Sequence, residues 1–253
     1  MSHLRTVREE FARQAETFAG APLLNATDLT DQLAEIAISR PTDRVVDIAC
    51  GPGLLLPALA ARAASVVGVD FTPEVLELAR KRLPAATTNV ALARGVAEQL
   101  PFRDGAFDAA VLRLALHHVE EPVTVLREVH RLLRPGGRVA VLDILTSADE
   151  ETAALHNAIE RLRDPSHTSL VALHELTASV EAAGFGVTRS TTFDKPRPFK
   201  GWATIISDAR RMASLETVMR QLARTGVSMG IDLREESGEL LFTYTFALVV
   251  GEK

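Results

Sequence analysis

The segment that most constrains this chain is Val45-Val46-Asp47-Ile48-Ala49-Cys50-Gly51-Pro52-Gly53, an apolar strand that runs into a glycine turn. The Leu- and Ala-rich stretch from Leu54 to Ala64 predicts a helix, and a second strand, Ser65-Val66-Val67-Gly68-Val69, ends on Asp70. Strand, tight turn, helix, strand and terminal acid is the order of a nucleoside-binding βαβ unit. Asp70 follows the turn at close to the ~20 positions expected of a carboxylate that meets ribose hydroxyls.

A dinucleotide-binding turn needs three glycines so that a helix N-terminus can approach a pyrophosphate. Here Leu56 stands at the third position, and Ala49 stands where an earlier glycine would fall. Asp47, at the end of the strand, repels a pyrophosphate and suits a ligand carrying a cationic amine. These departures point away from NAD and toward S-adenosylmethionine (SAM).

With 253 residues, 47% of them apolar, the chain can form one large α/β domain with a cap. A net charge of −5 argues against a protein held to nucleic acid by counterion release. One cysteine excludes an intrachain disulfide framework and a Cys-rich zinc site. No apolar run approaches the ~20 residues of a membrane span, and Met1 to Arg5 lack a signal-peptide core. The expectation is a soluble, cytoplasmic protein with no membrane and no nucleic-acid partner; a homodimer stays open.

Residues 5–20 predict a helix, with Val7, Phe11, Ala15 and Phe18 spaced by four, four and three. A second helix runs from about Thr30 to Ser39. Strand and helix then alternate to about Leu145: helix 73–83, strand 89–93, strand 107–112, helix 121–133 and strand 138–144. Such alternation predicts a parallel sheet covered on both faces. Beyond residue 146 the pattern gives helices over 152–163, 170–183 and 202–225, and strands over 187–193 and 239–250.

These residues are specific enough to carry a family resemblance. Asp47 to Gly53 resembles the first motif of the class I SAM-dependent methyltransferases, in the small-molecule group related to ubiquinone and menaquinone methylases. Val69-Asp70-Phe71-Thr72-Pro73 resembles the second, and Gly95-Val96-Ala97-Glu98-Gln99-Leu100-Pro101-Phe102 the adenine-contacting stretch. Leu116-His117-His118-Val119 and Leu132-Leu133-Arg134-Pro135-Gly136-Gly137 complete the ordered series. Phe11 to Phe18 is similar to a cofactor-covering helix of the group, and Asp164-Pro165-Ser166-His167 to a subgroup with a helical insertion. Val96 stands where the family often has an acid and Phe18 where it often has Tyr.

The resemblance implies a Rossmann-like α/β fold with a seven-stranded, mostly parallel sheet, the last strand antiparallel, and a helical lid. Residues 1–42 would form an N-terminal cap and 43–253 the SAM-binding domain, with lid insertions about 146–168 and 199–236. Asp47, Ala49, Gly51, Gly53 and Phe18 would meet the methionine end of SAM, Asp70 the ribose, and Phe71, Ala97 and Glu98 the adenine. The acceptor would be a small molecule of aromatic or polyketide-like character, methylated at O or C. The same fold also hosts non-methylating reactions and catalytically silent SAM-binding proteins. A nucleic-acid methylase would instead show an Asn/Asp-Pro-Pro-Tyr type of sequence where this chain has Leu112-Arg113-Leu114-Ala115.

Arg113 ends a strand at the carboxyl edge where open α/β sheets bind ligands, which suits the cofactor carboxylate or a substrate anion. His117 is the candidate catalytic base, because an imidazole near its ordinary pKa of ~6.5 can take an acceptor proton. For His118, a hydrogen bond that holds the loop weighs as heavily. Cys50 is expected to pack rather than react. His156, His167 and His174 lack the spacing of a metal site and are read as structural. Trp202 and Phe199 are expected in the core or at a subunit contact rather than in a pocket wall.

Overall fold

Successive strand residues face opposite cores, which is why the strands read as nearly continuous apolar runs. In β1 (Arg44–Ile48) Val45 packs on one side of the sheet while Val46 and Ile48 pack on the other. In β4 (Phe107–Arg113) Ala109 and Val111 oppose Ala110 and Leu112, and in β5 (Leu133–Ile144) Ala140 and Leu142 oppose Val139 and Val141. The computed structural model describes residues 3–20 and 27–253.

The remaining strands are β2 (Ser65–Asp70), β3 (Val90–Arg94), β6 (Gly186–Pro198), β7 (Arg234–Glu236) and β8 (Glu239–Glu252). The sheet order is β3-β2-β1-β4-β5-β8-β6, with β7 paired to β8. β1 to β5 are parallel, and β8 runs antiparallel to β5, β6 and β7. The chain winds outward from β1 to β3, then restarts on the other side of β1 with β4. The carboxyl ends of β1 and β4 therefore flank a topological switch point, where a crevice opens.

The helices are α1 (His3–Gly20), α2 (Thr27–Ala37), α3 (Leu56–Ala60), α4 (Pro73–Arg82), α5 (Pro122–Leu132), α6 (Glu150–Arg163), α7 (Leu173–Ala182), α8 (Phe199–Trp202) and α9 (Ala209–Arg224). One core joins α2, α3, α4 and α9 to the sheet; the other joins α5 and α7. Among the described residues no helix is long and apolar enough to cross a membrane.

Three expectations change. The helix expected over 54–64 shortens to α3, because Pro57 lacks an N–H in its first turn and the Ala64 N–H is taken by the Asp43 carbonyl at 3.0 Å. The helix expected over 202–225 breaks into α8 and α9. Asp208 caps α9, its carboxylate accepting from the N–H groups of Arg210 (2.8 Å) and Arg211 (2.9 Å). The sheet gains an eighth short strand, β7, through a two-residue hairpin. Its turn, Ser237-Gly238, has φ of 49° and 81°, the positive pair of a type I′ turn.

Candidate active site

The glycine turn closes on Asp70. One carboxylate oxygen accepts from the Gly51 N–H at 3.0 Å and the other from the Thr72 N–H at 2.9 Å. Asp70 thus ties the turn after β1 to the start of α4. Burial, opposed by these bonds, holds its pKa above the usual carboxylate value. A carboxylate has lone pairs for further donors, so ribose hydroxyls remain compatible with these bonds. Gly53, with φ of 75°, is a packing position: a Cβ there would lie 3.0 Å from the Ala79 Cβ of α4. It does not line either cavity described below.

Above β2 lies a cavity of about 80 Å³ whose walls include Asp70, Phe71, Ala97 and Glu98. A larger one, about 160 Å³, contains Gly51, Arg113, His117 and Trp202. Phe11, Ala49, Leu114 and His118 line both. Ala49 and Leu114 follow the ends of neighbouring strands and adopt left-handed φ of 55° and 54°, uncommon for residues with a side chain. Together they form a backbone sill between the cavities.

Asp47, two residues before Ala49, is 2% exposed and lines neither cavity, and among the described residues its Oδ2 has no hydrogen-bond partner. Burial raises its pKa to about 7, against the pull of Arg113. The neighbouring Cys50 thiol is pushed well above its ordinary value, chiefly by burial and then by Asp47 and Asp70, so it is inert at neutral pH.

His117 sits in a single 3-10 turn, Leu116–His118, that follows β4. Asp143, near the end of β5, holds this turn: Oδ2 accepts from the Leu116 N–H at 2.9 Å, and Oδ1 meets His117 Nδ1 at 2.5 Å. Burial opposes the charged imidazole, but the Asp143 charge and hydrogen bond outweigh it and raise the His117 pKa. With Nδ1–H donated to Asp143, Nε2 is the nitrogen left to take a proton.

The His118 ring holds the loop, its Nδ1 lying 3.1 Å from the Ser166 carbonyl. Burial, then His117, lower its pKa. His167, expected to be structural, both lines the larger cavity and places Nε2 2.8 Å from Asn157 Oδ1; burial lowers its pKa to about 3. The Thr168 and Ser169 N–H groups donate to the His117 carbonyl at 2.8 and 3.2 Å, joining this segment to the 116–118 turn.

The far wall is a charged network. Glu160 accepts from the Tyr244 hydroxyl and, at 2.6 Å, from Arg163 Nη1. Tyr244 in turn accepts from the Trp202 indole N–H. The Arg163 guanidinium lies 5.0 Å over the Trp202 ring. Trp202 therefore walls the cavity, where core packing or a subunit contact had been expected; Phe199 stays in the core. The α1 helix covers the site: its Phe11 ring meets His118 edge-on at 4.9 Å, and Arg13 donates to the Ile205 carbonyl at 3.1 Å. The Phe18 side chain lies outside the described residues.

A methyltransferase domain model matches residues 46–141. An uncharacterized methyltransferase of Bacillus subtilis, YcgJ, is 30% identical over 193 residues, covering 76% of this chain and 76% of its own. The crystal structure of YcgJ superposes with a TM-score of 0.81 at 26% identity, covering 90% of this chain and 98% of that one. The chain is a class I SAM-dependent methyltransferase. Its relation to quinone methylases appears in the demethylmenaquinone methyltransferase of Clavibacter sepedonicus, 39% identical over 121 residues. That match covers 46% of this chain and 49% of the quinone enzyme.

The site of this methyltransferase fits SAM. The orphaned Asp47 Oδ2 is a buried acceptor lacking a donor, which an α-amino group supplies. The walls beside Asp70 suit an adenosine, and the sill brings that cavity against the one containing His117. Among the described residues no group of three or more His, Cys, Asp or Glu is placed to hold a metal. Sequence reasoning did not single out Asp143, Arg163 or Arg197, and it read His167 as structural. Asp143 carried one signal, an acid inside an otherwise apolar strand.

Proposed function

We propose that this methyltransferase transfers the methyl group of SAM to a small aromatic acceptor held in the larger cavity, with His117 as the general base. The observation that carries this reading is His117, paired with Asp143 and lining a cavity that shares the Ala49–Leu114 sill with the nucleoside-sized one. Asp47 takes the SAM amino group, Arg113 its carboxylate, and Ala49 and Gly51 shape the methionine end. Asp70 takes the ribose, and Phe71, Ala97 and Glu98 enclose the adenine, while Gly53 keeps the turn against α4. SAM supplies an electrophilic methyl on a sulfonium. The α1 helix and the segments 146–168 and 199–236 cover the two cavities and exclude water, so positioning supplies much of the rate.

His117 Nε2 removes the proton of an acceptor hydroxyl or acidic carbon as the methyl is transferred, and Asp143 stabilises the imidazolium that results. The test is S-adenosylhomocysteine release in the presence of SAM and a panel of phenolic acceptors. His117→Ala is expected to keep SAM affinity and to lose about 10²- to 10⁴-fold in kcat. Unchanged turnover would remove the base from the mechanism. Acceptor consumption without S-adenosylhomocysteine would replace methyl transfer with another reaction on this fold.

A further inference from the structure

We propose that Arg197 is the receptor for a carboxylate on the methyl acceptor, which makes the acceptor an aromatic acid rather than a neutral ring. This rests on the larger cavity being the acceptor site. Three arginines line that cavity, Arg113, Arg163 and Arg197, with two acids, Glu160 and Asp164. The acids are already engaged. Glu160 holds Arg163 and the Tyr244 hydroxyl, and Asp164 Oδ1 accepts from the Ser166 N–H (2.9 Å) and hydroxyl (2.6 Å). Arg113 lies beside Asp47, whose charge favours its cationic form.

Arg197 is left over. It projects from β6, is 6% exposed, and its Nε has no hydrogen-bond partner. Its guanidinium carries no hydrogen bond or ion pair among the described residues; it rests 5.5 Å over the Phe246 ring. The groups facing it are the Tyr244 phenol, kept neutral by burial, and two further cations, Arg163 and Arg113. Burial lowers its pKa, yet an arginine starts so far above neutrality that it stays charged. An uncompensated buried charge is costly to keep, and its compensation must come from whatever fills the cavity.

A carboxylate fits better than a phosphate. One planar guanidinium matches one carboxylate through two parallel hydrogen bonds. A phosphate dianion would need a second unclaimed cation, and Arg163 is already taken by Glu160. The apolar wall, which includes Trp202, Ile144 and Leu170, suits the ring that carries the acid.

The experiment is calorimetric titration of the protein saturated with S-adenosylhomocysteine, using 2-naphthoate, 2-naphthamide and 2-naphthyl phosphate as probes. The wild type is expected to bind naphthoate at least about tenfold more tightly than the amide. Arg197→Gln should bring the two within about twofold of each other, with S-adenosylhomocysteine affinity unchanged, and Arg197→Lys should recover part of the preference. Four results would overturn the assignment: equal wild-type affinities, a preference that survives in Arg197→Gln, no naphthoate binding, or tighter binding of the phosphate. If Arg197→Gln does not fold, the wild-type comparison and Arg197→Lys decide it. No methyl is transferred in this measurement, so failure of the general-base test and failure of the carboxylate assignment are read separately.

Discussion

At the scale of single residues, the pairing of His117 with Asp143 sets the pH behaviour. Turnover by a neutral imidazole falls as pH drops through its pKa, and Asp143 places that value above the ordinary 6.5. Asp143→Asn removes the charge but not the shape. The acid limb of the pH–kcat profile is expected to move to lower pH while the plateau falls at least about tenfold, because a weaker base in a less fixed tautomer remains. Stability follows the same pair. Asp143 is held below the usual carboxylate range, so its contribution is present above pH ~4 and fades as pH falls. His117 is raised, so its contribution is full below pH ~6.5 and fades as pH climbs through the folded value. The Tm deficit of Asp143→Asn should therefore be widest between about pH 4 and 6.5, measured by thermal unfolding across that range. His117 stood out in the sequence because it is an imidazole that follows the cofactor motifs at a strand's carboxyl end. Its partner lies 26 positions away, and a contact of that range leaves no spacing pattern to read.

At the scale of elements, the strands were legible because each alternates between two cores, and that constraint is written at every second residue. Element ends were not, because they depend on which distant group captures a backbone donor, as Asp43 does for Ala64. The break before α9 shows both sides. Trp202 to Thr225 keeps a helical pattern, but Asp208 offers its carboxylate to two N–H groups and starts a new helix. Asp208→Ala should cost about 1 kcal/mol, read as a lower denaturant midpoint with an unchanged m-value and unchanged SAM affinity. Gly53→Ala tests a different contact. A left-handed φ and a Cβ 3.0 Å from Ala79 should cost about 1–3 kcal/mol. That variant should also weaken SAM binding, because the turn it displaces is bonded to Asp70 through Gly51.

At the scale of the molecule, the reversal of strand order at β1 and β4 places the crevice, and the ordered motifs from Asp47 to Gly137 were enough to foresee it. The far wall of the larger cavity was not legible, since it gathers Glu160 and Arg163 from α6, Arg197 from β6, Trp202 from α8 and Tyr244 from β8. No local rule links those positions. The α1 helix spans both cavities and bonds to the 205–207 segment through Arg13. Binding of S-adenosylhomocysteine is expected to slow amide hydrogen exchange in α1, and Arg13→Ala to reduce that protection while leaving β1 and β4 unchanged. Unaltered exchange in α1 on binding would count against its role as a cover.

The sill formed by Ala49 and Leu114 has a practical consequence. Two ligands separated by one thickness of backbone can be bridged by a short tether, which turns the second binding event into an intramolecular one. An adenosine joined to a carboxylated aromatic ring through a two- or three-atom linker would span both chambers as one molecule. Its affinity should exceed that of either fragment by about 10²-fold or more, provided the linker clears the Leu114 side chain. The left-handed backbone that divides the site thus also marks where a single inhibitor can cross it.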